Sequence, residues 1–270
     1  QDMTPEVCSS ATTPLASAGT STATIDTTGT HQGDNAYVPQ RTLYDYRGID
    51  GTGTASSPAT GSNQVSYVIR KLADGNCWMS ENLKLTLSTS HSYEVATFSG
   101  GTTSWTPTSC STNGTCAMNG NTVYTGSGSS RKCWYSWYAA TAESETTLQS
   151  GEDAPNSICP KGWRLPANYS INTTKSYGAL TNAYFGYATN MENTSDYAEL
   201  ESIPLSFSQQ GWYDRGGPGA TDTRGFYWSS TVNEPINTAY ILLYSRPDRY
   251  MFPQYRASKH YGFPMRCMNI

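Results

Sequence analysis

The chain has 270 residues, enough to bury one large core or two small ones without a metal or partner, which excludes small knotted scaffolds. Only 14% of residues are charged, whereas Gly and Pro number 24 and 14 and Tyr 20, a loop-rich, tyrosine-decorated composition. A net charge of −4 argues against a general nucleic-acid or anionic-membrane binder, since both need a positive field. The average hides a gradient. From Ala239 to Ile270, Arg246, Arg249, Arg256, Lys259 and Arg266 stand against Asp248 alone, a local +4 that leaves −8 on the rest.

In chain order, Gln1-Asp2-Met3 lacks the basic-then-apolar start of a signal peptide, and no run reaches the ~20 apolar residues that span a bilayer. No transmembrane segment is expected in this chain, and a leader or anchor is expected to lie outside it. Residues 1–64 are rich in Ser, Thr, Ala and Gly and read as an extension, since so few large apolar residues cannot offset the entropy of ordering. Cys8 suggests that this extension is stapled back onto a domain spanning 65–270. Tyr67 to Leu72, Ala73-Asp74-Gly75-Asn76 and Cys77-Trp78-Met79 read as a hairpin with one buried Trp, because Asp-Gly tolerates positive φ. A polar insertion follows at about 86–132. Within it Cys110 and Cys116 flank the turn dipeptide Asn113-Gly114, a spacing that suits a short-range disulfide.

Trp134, Trp137 and Tyr138 form an aromatic cluster read as core. Tyr177, Leu180, Tyr184 and Tyr187 recur at spacings of three, four and three, which predicts a helix over 176–187, with a shorter one at 195–202. The remainder reads as strands: Phe226-Tyr227-Trp228, then 239–244, then a return through 261–267. Alternation in the middle run puts Tyr240, Leu242 and Tyr244 on one face and Ile241 and Leu243 on the other. Hairpins with one or two helices and long loops predict an α+β domain. Seven cysteines without a Cys-x-x-Cys pair, beside three histidines, point to disulfides and an extracellular or cell-surface location rather than to zinc.

Four segments carry a family signature. Tyr67 to Leu83 (YVIRKLADGNCWMSENL), Cys159 to Pro166 (CPKGWRLP), Gly225 to Thr231 (GFYWSST) and Tyr261 to Cys267 (YGFPMRC) resemble, in order and spacing, the major paralogous domain (FISUMP) family. Met265 stands where that family has Val, and 167–174 replaces its acidic helix start. The resemblance implies a C-type-lectin-like fold with mixed or antiparallel strands, shared with formylglycine-generating enzymes and with the variable proteins of diversity-generating retroelements. It also implies a Cys159–Cys267 disulfide, with Cys8–Cys77 and Cys110–Cys116 following and Cys133 left unpaired; spacing alone leaves the connectivity open. Trp163, Leu165, Tyr227, Trp228 and Phe263 within the signature are expected in the core.

The segment YSRPDRYMFPQYRASKH, Tyr244 to His260, invites a functional reading. Tyr244, Arg246, Asp248, Arg249, Tyr250, Phe252, Gln254, Tyr255, Arg256, Ser258 and His260 combine aromatic area with bidentate donors, the mix that dominates recognition surfaces. The bland alternative is a solvated hairpin whose arginines keep an edge soluble. In retroelement-diversified proteins of the resembling fold the variable residues occupy this same stretch, so these side chains are expected to bind a protein or other macromolecular ligand, without catalysis. A thiol oxidase of the formylglycine-generating type, with Cys133 activated by Arg131 and Lys132, and a purely structural surface domain are the alternatives. His31, His91 and His260 lie far apart, and Ile236 interrupts a Glu-Pro-Asn sugar and calcium motif, so neither metal nor cofactor is expected. Nucleic acid is not expected either, since the −8 opposes it.

Overall fold

The computed structural model describes residues 8, 41–107, 122–127, 130–144, 148–168, 174–214 and 217–270. Cys110 and Cys116 lie outside these residues, as does most of the expected extension. The described part of 1–64 is nevertheless not all extension. Arg41–Asp45 forms β1, and Leu43, Tyr46 and Ile49 are buried.

The chain continues through β2 (Val65–Lys71), β3 (Cys77–Met79), β4 (Tyr93–Thr97), β5 (Thr102–Trp105), β6 (Thr122–Thr125) and β7 (Lys132–Tyr135) to the single turn α1 (Trp137–Ala140). Short strands β8 (Asn156–Ser157) and β9 (Trp163–Arg164) precede α2 (Tyr177–Phe185), β10 (Met191–Glu192) and α3 (Tyr197–Glu201). A small hairpin, β11 (Trp212–Asp214) and β12 (Gly217–Gly219), leads into the long strands β13 (Arg224–Glu234), β14 (Thr238–Ser245) and β15 (Tyr250–Ser258) and the closing β16 (Met268–Asn269). Antiparallel pairing dominates, with few helices, in keeping with the α+β expectation.

The first sheet has the order β1-β2-β3-β16-β9, so the end of the chain lies between the early hairpin and the Trp-Arg-Leu-Pro strand. Two disulfides fasten it, Cys8–Cys77 at the start of β3 and Cys159–Cys267 just ahead of β16. In β2 the period-2 pattern is explicit: Val65, Tyr67 and Ile69 turn inward, and Leu43 pairs with Tyr67 across the β1 ladder. At the hairpin turn Gly75 takes φ +81°, and the Asp74 carboxylate accepts from Asn76 N–H and Trp78 Nε1.

The second sheet, β10-β15-β14-β13, separates two apolar clusters. Ile241 and Leu243 face a cluster with Trp228, Val232 and Ala239, while Leu242 and Tyr244 face one built with Tyr177, Leu180, Leu200 and Leu205. Helix α2 closes that second side. Ser176 caps it by accepting from Ala179 N–H at 3.0 Å, and Gly186, at φ 78°, ends it. Trp134, Trp137, Trp163, Leu165, Tyr227, Trp228 and Phe263 are all buried, as their core reading anticipates; Tyr138 is half-buried.

The return through 261–267 departs from the strand expectation. Gly262 and Phe263 make only single bridges, to Tyr213 and Tyr135, before β16 begins. From Gly262 on, the segment is instead threaded through the interior, where Cys267 O accepts from Met79 N–H and Met265 O from Leu83 N–H. Its backbone is satisfied from several elements rather than from one ladder.

Candidate functional site

The stretch expected to be a recognition loop is a four-residue turn, 246–249, followed by strand β15 along most of its length. Pairing with β14 therefore decides which side chains can meet a ligand. Tyr250 lies opposite Ser245, Met251 opposite Tyr244, Phe252 opposite Leu243 and Tyr255 opposite Ile241. Between Leu243 and Ile241 the single residue Leu242 of β14 is matched by two of β15, Pro253 and Gln254, a bulge that reverses the alternation. Without it Tyr255 would face away from Phe252. With it Tyr250, Phe252 and Tyr255 share one face and stack: the first two rings are 4.5 Å apart and 7° from parallel, the second pair 5.8 Å and 19°.

This ladder is open to solvent to a graded extent. Tyr250 and Phe252 are half-buried against the first apolar cluster, and Tyr255 is 42% exposed. Partial burial raises the Tyr250 phenol above its ordinary value. The ladder continues across the sheet through Leu243 to Phe226, which stacks on Phe263 at 5.1 Å and 12°. Beyond it lie Tyr261, 37% exposed, and half-buried Trp212, their rings 5.6 Å apart. Phe226, Tyr261 and Trp212 were not foreseen as surface residues. Each lies in a different segment: Phe226 is on β13, the Tyr213–Gly262 bridge sets Trp212 beside Tyr261, and Phe263 lies between Tyr261 and Phe226.

The turn that presents Tyr250 is held by a compact polar set. Asp248 Oδ2 accepts from Ser245 Oγ at 2.7 Å and from Arg224 Nη2 at 2.6 Å, and Asp248 N–H donates to Ser245 Oγ. Those hydrogen bonds, Ser245 first and then Arg224, hold the Asp248 carboxyl below its ordinary value, with Tyr250 contributing. Arg249 takes φ +54°, and its carbonyl accepts from Thr194 N–H. Arg246 is paired with Glu201 on α3 at 2.6 Å.

The remaining predicted residues disperse. Tyr244, expected to be exposed, is buried with its ring over Gly225, because β13 brings a residue without a side chain directly opposite it. Gln254 turns to the loop after α2 and donates to Ala188 O at 2.9 Å. Arg256 pairs with Tyr240, on the face opposite the ladder. Ser258 and His260 lie at the far end of β15, where the imidazole sits 5.5 Å from the Tyr138 ring.

Two of the five cations of this region, Lys259 and Arg266, are used inside the molecule. Lys259 is buried, donates to Pro235 O at 2.7 Å and lies 4.4 Å from the centre of the Trp137 ring. Arg266 is buried too, donating to Asn82 Oδ1 and to the carbonyls of Met79, Leu205 and Ser206. Arg249 and Arg256 are left as the exposed cations of this stretch without an ion-pair partner among the described residues. Cys133, the free thiol among the described residues, is fully buried, and burial pushes it up to about 11 although a Tyr135 hydrogen bond and the nearby Arg131 and Lys84 oppose this. A reactive cysteine needs the reverse, an exposed electropositive setting that favours the thiolate.

Comparison with known proteins finds no matching family model, no matching curated protein and no matching solved structure.

Proposed function

We propose that the chain is a non-catalytic binding protein of the cell surface or extracellular space, which recognises a protein or other macromolecule through the Tyr250, Phe252 and Tyr255 ladder. The single observation that carries this reading is the stack itself: three large rings in register on an incompletely covered sheet face, ending in an exposed Tyr255. Aromatic area held rigid by its neighbours loses little entropy on binding, which is how recognition surfaces gain affinity. Two disulfides favour an oxidising compartment.

The scaffold belongs, on this reading, to the C-type-lectin-like architecture of the major paralogous domain family, and the ladder stands where retroelement-diversified proteins vary. The closing strand between β3 and β9 and the Cys159–Cys267 bond support it. A near-copy of the encoding stretch in neighbouring DNA, differing at adenines, is expected; absence of both copy and reverse transcriptase removes the diversification part. The buried, protonated Cys133 speaks for binding over thiol oxidation.

Titrating labelled protein onto intact cells tests the binding surface. The Tyr250→Ala/Tyr255→Ala double variant is expected to remain folded, with a lower melting temperature from the lost Tyr250 packing, and to lose at least about tenfold in apparent affinity. Equal binding by the double variant and the wild type would reduce the ladder to a structural feature.

A further inference from the structure

The second sheet has an edge that its neighbour covers only in part. β10 pairs with β15 at Met191–Met251 and Glu192–Tyr250 alone. Gln254 N–H, a little further along, is taken by Asn190 Oδ1 at 3.1 Å, and Pro253 has no N–H to satisfy. From Tyr255 to Ser258 none of the described strands lies on the outer side, while the inner side is paired residue by residue with β14 from Ile241 to Thr238.

The direction of each backbone group follows from both ends of this segment. Lys259 N–H turns inward to Asn237 O at 2.9 Å, so Ser258 points outward, Ala257 inward and Arg256 outward. Gln254, whose N–H points outward to Asn190, gives the same phase. Ser258 O is used by Tyr261 N–H at 3.1 Å. Gln254 C=O, Arg256 N–H and C=O, and Ser258 N–H therefore form a short open hydrogen-bonding edge.

The side chains along it differ by face. Tyr255 and Ala257 lie on the ladder side, opposite Ile241 and Ala239, and Arg256 lies on the other, exposed and without an ion-pair partner among the described residues. Glu192, the acidic residue of β10, sits at the covered end opposite Tyr250. We propose that this open edge accepts an extended peptide strand in which apolar and acidic residues alternate. Its backbone would pair with Arg256 and its neighbours, its apolar side chains would lie beside Tyr255 and Ala257, and its carboxylates beside Arg256. A second copy of this chain fits less well, because pairing two edges about Arg256 sets like guanidinium groups side by side. The inference does not depend on the ladder binding a ligand, since the backbone edge and Arg256 carry it and Tyr255 is the only ladder ring that it touches.

The test is fluorescence anisotropy with a fluorescein-labelled peptide of about eight residues alternating Val and Glu, a length that spans the open edge. Saturable binding is expected, with Arg256→Glu weakening it at least about tenfold and gaining affinity for the matching Val and Lys peptide. Backbone N-methylation of alternate peptide residues, which removes ladder donors and leaves the charges, is expected to abolish binding. Thermal melting checks that Arg256→Glu is folded, and Arg256→Gln gives a second reading of the charge if it is not. No saturable binding of the Val and Glu peptide up to about 1 mM, or undiminished binding after N-methylation, overturns the proposal. So does a dimer in sedimentation that Arg256→Gln strengthens, which would assign the edge to a second copy.

Discussion

Gly225 is the residue whose role is clearest in atomic terms. A Cβ built there would lie 2.0 Å from Tyr244 Cε1 and 2.3 Å from Cζ, far inside van der Waals contact. The Tyr244 ring therefore lies where it does because its cross-strand partner has no side chain, and a side chain at 225 would force the ring to move. Gly225→Ala is expected to cost about 1–3 kcal/mol through overpacking. Adding Tyr244→Leu should recover part of that loss in a double-mutant cycle. Purely additive losses in thermal melting would mean that the ring does not depend on the glycine. The same buried contact takes Tyr244 out of the set of residues that a ligand can touch.

At the level of elements, the ladder depends on two features of the β14–β15 hairpin. The bulge puts Tyr255 on the face of Phe252, and the Ser245, Asp248 and Arg224 hydrogen bonds fix the turn next to Tyr250. Because Asp248 is held below its ordinary value of 3.8, its ionised form stabilises the folded turn. That contribution is complete above 3.8 and is lost as pH falls through the lower folded value. Tyr250 ring signals in NMR are expected to shift across that acid window, and Asp248→Asn is expected to remove the transition. An unchanged acid transition in Asp248→Asn would show that another group governs the turn.

For the whole molecule, the two disulfides among the described residues matter because both are attached to the first sheet and join residues distant in sequence. Their separations of 69 and 108 residues correspond to about 4–5 kcal/mol each of loop-closure entropy removed from the unfolded chain. Cys159→Ser/Cys267→Ser is accordingly expected to lower the melting temperature by roughly 10 °C, as is reduction of that bond in the wild type. Melting that is indifferent to a reducing agent would remove the case for an oxidising compartment. Cys133→Ser, at a buried site without a bond, should leave the response to reductant as it is in the wild type.

Local pattern alone determined a good deal of this protein. Ser176 and Gly186 bound α2 close to where the Tyr and Leu spacing placed it, and period-2 alternation assigned Leu242 and Tyr244 to one face and Ile241 and Leu243 to the other. These features depend on neighbours within a turn or two of chain. The tertiary structure decided what depends on partners far along it: that Tyr244 is covered beside Gly225, that Lys259 and Arg266 are interior, and that Arg246 is paired with Glu201. It also decided that a bulge aligns Tyr255 with Phe252, and that 262–267 runs through the core instead of along a ladder. Residue type shows what a side chain is able to do, but burial and charge pairing are set by which distant strands and helices come to rest against it.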